Sequence, residues 1–147
     1  MFYLYTIKIN DKTFGRFIYS FYICKVNQNR NEMKAILVDV HNECVKPVVI
    51  DDNDVLNSMY KHIGCSLVDR VQINDHDDIW VDDEGLLSID NNSKFFTFGK
   101  SQPLCGNGLI MGVDRMGESI DPTITIDKVR SMVKFYTLSD VQDMVDF

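Results

Sequence analysis

Alanine is almost absent from this chain of 147 residues, while Asn, Asp, Ile, Val and Phe are plentiful. That balance lowers helix propensity and favours strands and turns. No two of the four cysteines (Cys24, Cys44, Cys65, Cys105) stand in CxxC spacing. The N-terminus does not read as a basic-then-apolar signal peptide. Without a secretory signal an even cysteine count gives no reason to invoke disulfides, so reduced thiols in a cytoplasmic setting are expected. No uninterrupted apolar run approaches the roughly 20 residues that span a bilayer. Internal repeats and low-complexity tracts are also missing.

What is present suits one soluble domain with one core. The chain is 45% hydrophobic and 25% charged, as in ordinary globular proteins. The net charge is −7. Residues 1–32 hold five basic and two acidic groups, a net +3, so the remainder carries −10. An acidic body is repelled by phosphate backbones, which argues against general nucleic-acid binding. A protein partner or a small-molecule ligand fits better.

Composition changes near Met33. The aromatic, basic stretch 1–32 is either a hairpin turning at Asn10–Gly15, or an extension upstream of a domain that begins at Met33. If native, its aromatics offer an oligomer surface. From Met33 to Val40 the chain reads as a first strand, and Val48-Val49-Ile50 as a second after a turn near His41-Asn42-Glu43. Leu56, Met59, Tyr60 and Ile63 fall on one face of a helix, which ends at Gly64. Leu67–Ile73 is the next strand. Asp82-Asp83-Glu84-Gly85, between Ile79–Val81 and Leu86–Ile89, reads as a hairpin turn. Phe95–Phe98 suits a strand or a short helix, and Gly106–Val113 a strand that needs close backbone approach. Two short helices close the chain, over Asp127–Tyr136 and from a Ser139 cap. The expected fold is α+β: a small mixed, mainly antiparallel sheet on one central helix, with short C-terminal helices. Residues 33–147 form the single domain.

The order of Leu56-x-x-Met59-Tyr60-x-x-Ile63-Gly64-Cys65-Ser66-Leu67-Val68, Trp80-Val81-Asp82-Asp83-Glu84-Gly85-Leu86-Leu87 and Gly106-Asn107-Gly108-Leu109-Ile110-Met111-Gly112 resembles a small family. It is domain of unknown function three-eight-four-six, found in phages, plasmids and bacterial genomes. Cys65 stands where the family pattern has a second glycine. The resemblance implies a mobile-element setting and a small stand-alone domain, and it carries no reaction.

Candidate chemistry must come from the residues. The cluster Asp75, Asp77, Asp78, Asp82, Asp83 and Glu84 suggests a hard cation, but an EF-hand count from Asp75 puts Ile79 and Trp80 at its fifth and sixth positions. Solvated turns explain the cluster more simply. His41 with Cys44, and His62 with Cys65, form two HxxC pairs with the spacing of zinc knuckles. The Gly106–Gly112 glycines miss the dinucleotide fingerprint by one residue. No catalytic residue and no cofactor is assigned, and the reading leans away from an enzyme. Trp80, Asp82, Glu84 and Asn107 are the candidate ligand contacts. The expected function is a non-enzymatic binding or regulatory protein of a mobile element. The alternative is a small metal-binding domain or metal-dependent enzyme built on the acidic turn or on His41, Cys44, His62 and Cys65.

Overall fold

The computed structural model describes residues 32–145. The expected N-terminal hairpin, the oligomer surface it would provide and Cys24 lie outside the described residues. The described strands are β1 (Glu32–Asp39), β2 (Cys44–Asp51), β3 (Val68–Gln72), β4 (Asp77–Asp82), β5 (Lys94–Phe98), β6 (Leu104–Cys105), β7 (Gly108–Val113), β8 (Ser119–Ile120) and β9 (Val133–Thr137). The helices are α1 (Val55–Ile63), α2 (Ile126–Met132) and α3 (Leu138–Val145). The protein is α+β, and every pairing among the described strands is antiparallel.

Two sheets form where one was expected. The larger runs β2-β1-β7-β4-β3, with β8 against β7, and the smaller runs β6-β5-β9. Alternation along β1 explains why the larger sheet is covered on both faces. Ile36, Val38 and Val40 point into a core with Ile79, Val81 and Ile110, closed by Phe96 and Phe98 of the smaller sheet and Val129 of α2. Met33, Ala35 and Leu37 point the other way, with Ile50, Leu109 and Met111, onto Met59 and Ile63 of α1. Fully burying one such side chain stabilises by about 1.5–3 kcal/mol.

Helix α1 is where its periodicity placed it, though rotated. Leu56 is half exposed, and Met59 and Ile63 are buried with Val55 packed beside them. The inward face therefore follows i, i+4, i+8. Gly64 ends the helix in the left-handed region at φ 82°, and its N–H donates to the Tyr60 carbonyl.

Three local expectations are corrected. Asp82–Gly85 is not a hairpin turn: β4 pairs with β3 and β7, and Gly85–Ser88 is a single 3-10 turn. The hairpin lies one element earlier, between β3 and β4. The expected helix 127–136 stops at Met132, because Val133–Thr137 pairs with β5 from Lys94↔Thr137 to Phe98↔Val133. The last helix is capped by Thr137, not Ser139: the Thr137 hydroxyl accepts from Asp140 N at 3.2 Å, and the Asp140 carboxylate accepts from Thr137 N at 2.8 Å.

Candidate functional site

Strands β4 and β7 lie side by side, with Trp80 opposite Leu109. Two residues further on, this pairing delivers Asp82 and Asn107 to the same end of the larger sheet. The turn after β1 brings His41 there, and β6 brings Cys105, because Phe95↔Cys105 holds it against β5. A cavity of about 260 Å³ opens at this end, lined in part by His41, Asp82, Asp90, Lys94, Cys105 and Gly106. A smaller one of about 140 Å³ lies beside β3, walled by Asp69, Asp83, Val81, Leu86 and Leu104.

The carboxylates here first shape the backbone. Asp82 Oδ1 accepts from Glu84 N at 2.9 Å, and Asp90 Oδ1 accepts from Asn92 N at 2.8 Å. Both are local turns of the kind Asp favours. Burial pushes the Cys105 thiol above its ordinary range, and the charges of Asp82 and Asp90 push it the same way. Burial also raises Cys65, reinforced by Asp82. A nucleophilic cysteine needs the opposite environment, so neither thiol is arranged for attack at neutral pH.

The four candidate ligand contacts have different duties. Asp82 lines both of these cavities. Glu84 is exposed on the turn that follows it. Trp80 is half-buried and packs on the α1 side of the sheet. The Asn107 amide is already committed: its oxygen accepts from Val40 N at 3.0 Å, and its nitrogen donates to the His62 carbonyl at 3.3 Å. It ties the ends of β1, α1 and β7 together.

The proposed zinc set does not converge. His62 Nε2 donates to the Val49 carbonyl of β2 at 3.1 Å. Cys44 lines a separate cavity of about 330 Å³ beside Arg130 and Phe135. Cys65 packs against the core next to α1, and His41 faces the cavity with Asp82. Among the described residues no three His, Cys, Asp or Glu side chains are grouped to hold a metal ion.

The acidic cluster is also not one solvated surface. Asp75, Asp83 and Glu84 are exposed, but Asp77 and Asp78 are buried in β4. Asp77 accepts from Thr123 N at 2.7 Å, from the Thr123 hydroxyl at 2.5 Å and from Asn74 Nδ2 at 3.0 Å. Asp78 meets Arg70 at 3.6 Å. Sequence reasoning missed Asp77 as a structural anchor and Cys105 as a cavity residue. No spacing signal marks either, since both depend on distant pairing.

Just beyond Asp82–Glu84 the surface turns apolar. Leu86 and Leu87 are 66% and 82% exposed, and Leu67 and Ile89 are also open to solvent. Leu67 is held beside this segment by Asp83 N donating to its carbonyl at 3.0 Å.

Fold and site together define a small α+β domain of antiparallel sheets with an acidic, apolar-tipped end. No helix among the described residues is long and apolar enough to cross a membrane. The family model of a domain of unknown function, DUF3846, matches residues 33–134, and the chain belongs to that family. No curated protein and no solved structure matches it.

Proposed function

We propose that the chain is a non-enzymatic binding or regulatory protein of a mobile element, phage or plasmid, acting on a protein partner in the host cytoplasm. One observation carries the reading: Leu86 and Leu87 stand in solvent beside Leu67 and Ile89, next to Asp82, Asp83 and Glu84. Contiguous exposed apolar side chains with a polar rim mark interaction sites. The acidic rim selects a basic partner through charge complementarity. At this end a protein partner fits better than a small ligand, because the neighbouring cavity of about 260 Å³ falls below the ~300–1,000 Å³ of common ligand sites, and the cavity of about 330 Å³ beside Arg130 lies apart from it.

The test is affinity capture from host-cell extract with the full chain and with a Leu86→Asp/Leu87→Asp variant. Both side chains are exposed, so the variant keeps its melting temperature. A protein recovered by the wild type and lost by the variant supports the reading. Equal recovery by both, or recovery of nothing above background, overturns it.

A further inference from the structure

The two edges of the larger sheet are finished differently. In an antiparallel pair, alternate residues turn their N–H and C=O groups towards the partner and away from it. On β2 the outward residues are Val45, Pro47, Val49 and Asp51, since groups outside the sheet bond the Val45 and Val49 carbonyls and the Asp51 N–H. That edge is largely capped. Arg130 Nε and Nη2 donate to the Val45 carbonyl at 3.3 and 3.0 Å. His62 Nε2 donates to the Val49 carbonyl at 3.1 Å, and the Ser58 hydroxyl accepts from Asp51 N at 3.1 Å. Pro47 has no N–H to offer. Side-chain capping and an edge proline both block strand addition.

Strand β3, at the opposite edge, has a different finish. Ile73 N donates to the Asp77 carbonyl and Asp83 N to the Leu67 carbonyl, so the odd residues face β4 and Val68, Arg70 and Gln72 face outward. Of their outward backbone groups, only Arg70 N has a partner among the described residues, the neighbouring Asp69 carboxylate at 2.8 Å. Asp69, Arg70 and Gln72 are exposed. The Arg70 guanidinium is turned back towards Asp78. Asp69 and Asp83 line the cavity of about 140 Å³ alongside, and Leu86 and Leu104 form its apolar wall.

We infer that β3 is a strand-addition site for an extended segment of a partner protein carrying basic and apolar side chains by turns on one face. The inference rests on the binding reading above and gives that partner its chemistry. The segment's backbone pairs with the outward groups of Val68 and Gln72 and with the Arg70 carbonyl. Every second side chain then projects onto the face that holds Asp69 and the cavity. A lysine or arginine there meets Asp69 and Asp83, and an apolar residue enters against Leu86 and Leu104.

The experiment uses the full chain and a short synthetic peptide in which threonine alternates with lysine and valine by turns, followed by amide NMR and fluorescence anisotropy. A matched peptide carries glutamate in place of lysine. Shifts and exchange protection centred on Val68 and Gln72 are expected, with the glutamate peptide about tenfold weaker. Gln72→Pro deletes an outward N–H where an edge tolerates proline, and it abolishes peptide binding. Should that variant fold poorly, Asp69→Lys serves instead and reverses the preference between the two peptides.

No perturbation at Val68–Gln72, equal affinity for both peptides, or undiminished binding by folded Gln72→Pro overturns the inference. Retention of a captured host protein by Gln72→Pro, with its loss from Leu86→Asp/Leu87→Asp, also overturns it and leaves the binding reading standing. Peptide pairing at β3 with no host protein captured supports the open edge and sinks the host-partner reading.

Discussion

Asp77→Ala tests the architecture where a buried carboxyl group holds it. Asp77 has no solvent exposure and accepts three hydrogen bonds, two of them from Thr123, which lies 46 residues away. Alanine leaves Thr123 N, the Thr123 hydroxyl and Asn74 Nδ2 without an acceptor. A hydrogen bond contributes about 0.5–1.5 kcal/mol net, and a buried group left unsatisfied costs about 1–3 kcal/mol. Thr123 is itself exposed, so water recovers part of the loss. We expect a destabilisation of about 3 kcal/mol, within the range for a broken buried network. With an unfolding entropy of about 2.1 cal/mol/K per residue over the 147 residues of the chain, that lowers Tm by about 10 °C. Urea and thermal melts of the full chain measure both quantities. A double-mutant cycle with Thr123→Ala isolates the shared part, expected at about 1–2 kcal/mol. A loss below about 1 kcal/mol, or strict additivity in the cycle, refutes the assignment of Asp77 as the anchor of the segment after β8.

Three further outcomes follow from the packing and the titrating groups. A Cβ on Gly108 would lie 2.5 Å from Phe96 Cζ, so Gly108→Ala should cost about 1–3 kcal/mol of overpacking in a urea melt, and Phe96→Leu in the same chain should restore part of it. Cys65 and Cys105, both held as thiols by burial and nearby carboxylates, should alkylate with iodoacetamide at neutral pH more slowly than a free cysteine peptide; equal rates by peptide mapping would contradict the environment described. Burial pushes Asp39 up, but hydrogen bonds from Asn42 and the Lys46 ammonium together outweigh it and hold the carboxyl below its ordinary range. A depressed carboxyl stabilises the fold above its unfolded pKa of about 3.9 and loses that contribution as pH falls through the lower folded value. Asp39→Asn should therefore differ from wild type in urea melts near pH 7 and converge with it in strong acid; an unchanged gap would refute the linkage.

Local pattern made the first strand, α1 and its Gly64 terminus legible, because each follows from near-neighbour periodicity and one glycine conformation. The acidic Asp82–Gly85 segment misled for a physical reason. Gly85 is there for close approach: a Cβ would come within 3.2 Å of the Cys105 carbonyl oxygen. A glycine that eases close packing looks the same in sequence as a glycine that makes a turn. Val133–Thr137 carries apolar residues that also suit a helix, and only pairing with Lys94–Phe98 decides for a strand. At the candidate site, Asp82 and His41 do share a cavity. The regular HxxC spacing proved uninformative, since α1 aims His62 at β2 and the turn after β1 sends Cys44 elsewhere.

The position of β7 orders events on the ribosome. It is late in the chain, yet among the described residues it is the only element that joins β1 to β4 within the larger sheet. Until Gly108–Val113 has left the exit tunnel, the two halves of that sheet have no shared backbone partner, and the strands made first must wait with one side unpaired. Topologies dominated by such long-range pairings close slowly. Nascent chains stalled before β7 emerges should be cut readily by protease, and those stalled after it should resist.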